Sequence, residues 1–137
     1  MTGGQYDLDR FVNAQQEVYG RVLRELATGR KQSHWMWFMF PQLRGLGMSE
    51  ASDFYGISGL DEARAYLAHP ELGSRLVEMC EVLCALEGMS AHEVFDTPDD
   101  LKLRSCATLF AQVSDAGSVF HRILDKYYDG EPDPLTM

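Results

Sequence analysis

The sequence predicts an all-α fold, and three observations carry that prediction. Apolar residues recur three and four apart through most of the 137 residues, the period of a helix with one buried face. Glycines and prolines fall mainly between these stretches, where they serve as stops and starts. No run of alternating β-branched residues occurs, so nothing reads as strand. A single domain over residues 1–137 is expected, with about six or seven helices and with 1–6 and 131–137 as irregular tails; folding at this length buries roughly two-thirds of the unfolded surface.

Taken in order, residues 7–27 carry Leu8, Phe11, Val18, Val22 and Leu26 at helical spacing, and Tyr19 and Leu23 widen the stripe. Asp7 can cap the start, and Gly29 can turn left-handed past the end. One long helix is expected. Residues 30–40 hold both tryptophans of the chain; a helix over 32–39 ended by Pro41 is favoured over an extended stretch, and Phe40, before a proline, is extended either way. Residues 43–59 contain Gly45, Gly47, Gly56 and Gly59 among serines, which is loop chemistry, with a helical turn at 50–55. A short helix over 61–68 stops before Pro70, which suits the first turn of the next helix. There Leu72, Leu76, Met79, Leu83 and Leu86 line one face up to Gly88. A turn or short helix follows at 91–95. Thr97-Pro98-Asp99-Asp100 reads as a helix start, with threonine as cap and carboxylates at the positive end of the dipole. Leu103, Cys106, Ala107, Phe110 and Val113 form its buried face, Gly117 breaks it, and Phe120, Ile123, Leu124, Tyr127 and Tyr128 mark a last helix ending at Gly130.

Composition narrows the function. The chain has 21 acidic against 12 basic residues, a net charge of -9, which argues against general nucleic-acid binding because phosphate-backbone affinity is largely electrostatic. A local basic site can still hold one anionic ligand. The N-terminus lacks the pattern of a signal peptide, and the longest apolar run is far too short to span a bilayer. Three cysteines, Cys80, Cys84 and Cys106, fit reduced thiols and a cytoplasmic location. Their spacing does not build a four-ligand zinc site; core packing is the simpler role. No metal or cofactor is expected.

Residues 35–40 are six large apolar side chains in a row, so this segment is either covered on nearly all sides or lines a cavity. Trp35 and Trp37 can fill the core, wall a pocket for a planar ligand, or divide these roles. Arg30, Lys31, Arg44 or Lys102 can meet a phosphate or carboxylate. His34, beside the tryptophans, is the one histidine with a candidate catalytic setting; His69, His92 and His121 read as structural or solvated. Asp99 at a helix start is explained by the dipole, and Lys102 one turn on either snorkels to solvent or enters the site. No nucleophile elbow, phosphate loop, dinucleotide fingerprint or zinc helix is present, so no named chemistry is spelled out.

The segments His34-Trp35-Met36-Trp37-Phe38-Met39-Phe40-Pro41-Gln42, Leu46-Gly47-x-Ser49, Tyr55-Gly56-Ile57, Tyr66-Leu67-Ala68-His69-Pro70-x-Leu72-Gly73-x-Arg75-Leu76 and Asp100-x-Lys102-x-x-Ser105-x-x-Thr108-Leu109-Phe110 together resemble the bacterial domain-of-unknown-function family 1810. The resemblance implies a mainly helical domain with no established activity. Some members bear the label calpastatin, a disordered inhibitor whose composition this chain does not share. A weaker similarity, in Asp100-x-Lys102, Leu109-Phe110 and Gly130-x-x-Asp133-x-x-Thr136, is to the all-helical N-glycosidases of ADP-ribose derivatives and riboflavin intermediates; it implies Trp37 under a base, Lys102 on an anion, and Asp99 or Asp100 assisting water. The expected binding residues are therefore His34, Trp35, Trp37, Gln42, Arg44, Tyr55 and Lys102, with Lys102, Asp99, Asp100 and His34 as catalytic candidates. A small-molecule ligand is expected, and a protein-interaction module using the 43–59 loop is the alternative from another class. The sequence leaves the oligomeric state open.

Overall fold

The structure, a computed structural model, describes residues 6–45 and 49–136. Leu46 and Gly47 of the expected loop lie outside the described residues, as do residues 1–5 and Met137. Nine helical segments follow one another among the described residues: α1 Asp9–Gln15, α2 Tyr19–Ala27, α3 Met36–Met39, α4 Glu50–Phe54, α5 Leu60–Ala68, α6 Leu72–Ala85, α7 Ala91–Phe95, α8 Asp99–Ala111 and α9 Val119–Tyr128. The all-α class stands, with one isolated parallel bridge between Leu43 and Ile57, while the expected six or seven helices become nine segments, some of a single turn. No described helix is long and apolar enough to cross a membrane.

Three expectations are corrected. The single helix over 7–27 is two, because the ladder breaks at 16–18, where the Val18 N–H turns to the Gln15 carbonyl. The apolar spacing runs across the break and so does not disclose it. The helix over 32–39 shrinks to α3, and residues 32–35 instead wrap the Glu25 carboxylate, with the Gln32 and Ser33 amides donating to it. Thr97 is not the cap of α8: Pro98 holds that position without a side-chain cap, and the Thr97 hydroxyl reaches His92 and Asp100 instead. Other signals hold. Phe40 leaves the helical region before Pro41, Gly29 takes a φ of +78° past α2, and His69, extended before Pro70, accepts from the amides of Glu71 and Leu72 at Nδ1.

α6 packs against α2, α5 and α9, and α8 against α5, α7 and α9. Phe11, Leu26, Trp35, Tyr66, Leu76, Met79 and Phe110 are among the side chains sealed between them. Two polar cross-links tie the periphery to this core. The Gln15 amide donates to the Phe38 carbonyl at 2.7 Å and to the Tyr66 hydroxyl at 3.0 Å, while its oxygen accepts from Arg75 at 3.3 Å. Arg10 pairs with Glu62 at 3.0 Å and donates to the carbonyls of Asp7, Phe54 and Gly56, holding α1 against the end of the 43–59 loop. Residues 131–136 are non-helical, as expected of the tail, but they are pinned: Arg104 donates to the carbonyls of Glu131 and Pro132, and the Asp133 amide donates to the Thr108 hydroxyl.

A close helix contact sits at Gly73 of α6, where a Cβ would stand 2.0 Å from the Leu67 carbonyl oxygen of α5. Backbone cannot yield as a flexible side chain does, so Gly73→Ala is expected to lower stability by about 2–3 kcal/mol or more. Chemical denaturation checks this; an unchanged midpoint would mean that α5 and α6 do not meet as described.

Candidate functional site

The site is built outward from Glu25. On α2 this glutamate falls three residues after Val22 and beside Leu26, on the buried face, and it is 7% exposed. Gly29 turns the chain back, and the Arg30 amide donates to the Glu25 carbonyl. The carboxylate then takes four donors: the Gln32 amide at 2.8 Å, the Ser33 amide at 3.2 Å, the Ser33 hydroxyl at 2.6 Å and the Trp35 indole N–H at 2.9 Å. Burial alone raises its pKa, but the bonds from Ser33, Gln32 and Trp35 more than offset this and bring it from the ordinary 4.5 down to about 2. Glu25 is thus a fixed anion without an ion-pair partner among the described residues, and the bonds that hold it ionised come from residues 32–35.

Beyond this anchor stands a cluster of charge on aromatic ground. The Lys31 amide is tied to the Val94 carbonyl at 2.8 Å, and its ammonium reaches Asp99 Oδ2 at 2.9 Å. Lys102 reaches the other oxygen, Oδ1, at 3.3 Å. Each cation also faces an indole: Lys31 lies 5.1 Å from the Trp35 ring centroid and Lys102 4.7 Å from that of Trp37. The side chains of Lys31, Asp99 and Lys102 are 9%, 18% and 21% exposed, so water screens them only in part. Two ammoniums share one carboxylate, and one positive charge is left over. Cation–π contacts of this kind contribute about 0.5–2 kcal/mol each, more as they are desolvated.

The predicted site residues divide. Trp37, Lys102 and Asp99 come together, with Lys31 as the member that links them. Trp35 is 2% exposed and belongs to the core, so it supports the cluster from beneath and is closed to a ligand. His34 is exposed beside it. Asp100 serves the start of α8: its carboxylate accepts from its neighbour Leu101's amide at 2.9 Å and stands 3.6 Å from His92. Gln42 is held through its carbonyl by the Ile57 amide, and Tyr55 packs among Phe11, Phe38 and Phe54. Arg44 donates to the Gly56 carbonyl at 3.3 Å and lines a different cleft, of about 370 Å³, with Arg10, Phe54 and Glu62. Glu25 was missed by the sequence reading, although a glutamate in phase with an apolar stripe is a visible signal. Cys80 and Cys106 are sealed in, and burial pushes both thiols up, so neither offers a thiolate nucleophile.

Residues 5–137 match the model of a family described as Protein of unknown function (DUF1810). The crystal structure of the conserved hypothetical protein Rv1873 from Mycobacterium tuberculosis is similar to this chain with a TM-score of 0.94 and 53% sequence identity, over 96% of this chain and 94% of that one. No curated protein matches.

Glu25 binds its proton far more weakly in the folded chain than in the unfolded one, so its contribution is present above about pH 4.5 and is lost as pH falls toward about 2. That contribution is about 3 kcal/mol at neutral pH. Glu25→Gln is expected to lower stability by a comparable amount at pH 7, and the gap between the variant and the wild type should close on acidification through that window. Denaturation at a series of pH values measures it; a gap independent of pH would show that the charge of Glu25 is not what holds residues 32–35.

Proposed function

Because the chain belongs to the family described as Protein of unknown function (DUF1810), whose description carries no reaction, we propose a function from the side chains: the protein binds a small planar anion, such as a nucleotide-like compound or an aromatic acid, at the Trp37 edge. The observation that carries this reading is the pair of ammoniums on one carboxylate. A lone Lys–Asp pair is neutral and complete, whereas Lys31 and Lys102 on Asp99 leave an unmatched cation on partly buried ground. An anion completes that charge set, and the half-buried Trp37 offers a flat apolar surface next to it. Lys102 lies over the indole in the unliganded protein; an anion that competes with Asp99 for this ammonium would free part of the ring for the planar body. In this reading the protein is a single cytoplasmic domain, supported by three free thiols, and it takes no nucleic acid as a general partner.

A second reading, a protein-docking role for the 43–59 loop, is favoured by one observation. Phe54, within that loop, is 55% exposed and meets Tyr55 edge-on, and Leu60, at the start of α5, is 39% exposed; a partner chain would cover such side chains.

Titration with a library of nucleotides and aromatic acids is expected to give a saturable change in tryptophan fluorescence. Trp37→Phe should remove the response, since Trp35 is shielded, and Lys102→Ala should weaken binding about tenfold, as loss of a charge-assisted hydrogen bond does. A wild-type protein silent to the whole library, or an affinity indifferent to Lys102→Ala, sinks the assignment. Capture of a partner that is lost on changing Phe54 and Leu60 to serine would then favour docking.

A further inference from the structure

Residues 131–136 join the fold without joining its core. Helix α9 ends on two successive left-handed residues, Asp129 with a φ of +54° and Gly130 with +78°, and the chain then runs along α8 as a strap. α8 meets it with three side chains spaced four apart, a row on one face of the helix. Arg104 donates to the carbonyls of Glu131 and Pro132, each at 3.0 Å. The Thr108 hydroxyl accepts from the Asp133 amide at 2.8 Å, and Gln112 donates to the Thr136 carbonyl at 2.9 Å. All four bonds go to the main chain of the strap. The charges agree as well: the strap carries Glu131 and Asp133, and the one ion pair of Arg104 among the described residues is with Glu131, at 3.9 Å.

Apolar anchorage is what the strap lacks. The hydrophobic core and the apolar side chains packed against it run no further than Tyr128 among the described residues. Leu135, the strap's one large aliphatic side chain, is 75% exposed. Pro132 lines a cleft of about 220 Å³ with Ala111, His121 and Leu124 rather than a close-packed seat. Thr136 is buried, but its hydroxyl is spent on Asp133 within the strap. A segment held by hydrogen bonds, against the entropy of ordering six residues, opens locally well before the domain unfolds. One turn before Arg104 on the same face of α8 stands Leu101, 53% exposed. A large exposed aliphatic side chain therefore lies on the strap and another on the helix that holds it, which marks this face as one that a protein partner covers.

We infer that this face is a contact between two copies of the chain, in which each strap leaves its own α8 and lies on the other's. The occupant is the segment that the row on α8 already fits, so reciprocal exchange repeats the same bonds under two-fold symmetry and needs no new complementarity. The test uses two complementary full-length variants. One keeps the strap but carries Arg104→Ala and Gln112→Ala; the other keeps both side chains but has residues 131–136 replaced by glycine and serine. They are mixed at about 0.15 M salt, where the charge that each copy carries is screened. The mixture is expected to sediment as a one-to-one complex, each variant alone as a monomer, and the wild type as a dimer whose fraction rises with concentration. A free peptide spanning 131–136 should dissolve the complex. A mixture that does not combine, a variant that associates as well alone, a complex indifferent to the peptide, or a wild type still monomeric at about 1 mM would each overturn the inference. Failure of the strap-replaced chain to fold would overturn it too, since the strap would then belong to the core. None of these outcomes depends on Trp37.

Discussion

An ionised carboxylate buried without a countercharge is the constraint from which the rest of this structure follows. Desolvation opposes such an anion, and the opposition is met when its lone pairs are filled by well-placed donors. Glu25 meets it with two backbone amides, a hydroxyl and an indole N–H, all from residues 32–35. Residues 32–35 wrap this carboxylate, and the helix that follows, α3, is one turn long. The same bonds fix Trp35 under Lys31, and the Lys31 amide, tied to Val94, joins this segment to α7. From α7 the chain leads into α8, which carries Asp99 and Lys102. One carboxylate on α2 thus governs how residues far apart in sequence come to face one another.

The same logic recurs at the other polar groups drawn into the fold. Gln15 is wholly buried, and its amide is matched by Phe38, Tyr66 and Arg75. Arg10 and Glu62 form a nearly sealed ion pair whose remaining hydrogen-bonding capacity is taken by carbonyls and by the Ser58 amide. Among the described residues no buried side-chain nitrogen or oxygen lacks a partner. Such groups add little net stability over apolar packing, but each is costly if misplaced. They select one arrangement of short helices that apolar contact alone would leave with several.

Much of the fold was legible because its signals are local. Helical spacing, the effect of Pro41 on Phe40, the stop at Gly29 and the break before Pro70 depend on residues a few positions apart. The misread elements depend on distant or opposed demands. Nothing near residue 17 marks the break between α1 and α2, since the apolar stripe continues through it. The first half of the helix expected over 32–39 is instead wrapped around a glutamate on another element. The site divides in the same way. Trp37, Lys102 and Asp99 were legible as chemistry, a stacking surface beside a cation and an anion. Arg44, Gln42 and Tyr55 share the neighbourhood in sequence, but the 43–59 loop, held at its end by Arg10, turns them to other partners. Lys31 was visible as a flanking cation, whereas its bond to Asp99 is a fact of tertiary structure.

Charge also limits what the proposed site at Trp37 can hold. A net charge of -9 repels anions at a distance, but at physiological salt that field fades within about 8 Å, so short-range cations decide what is held. Lys31 and Lys102 act from partly buried positions, locked to Asp99 and to indole faces. Their attraction is less screened, but an incoming anion has to compete with a carboxylate already in place, which favours a ligand that adds stacking on Trp37 to its charge.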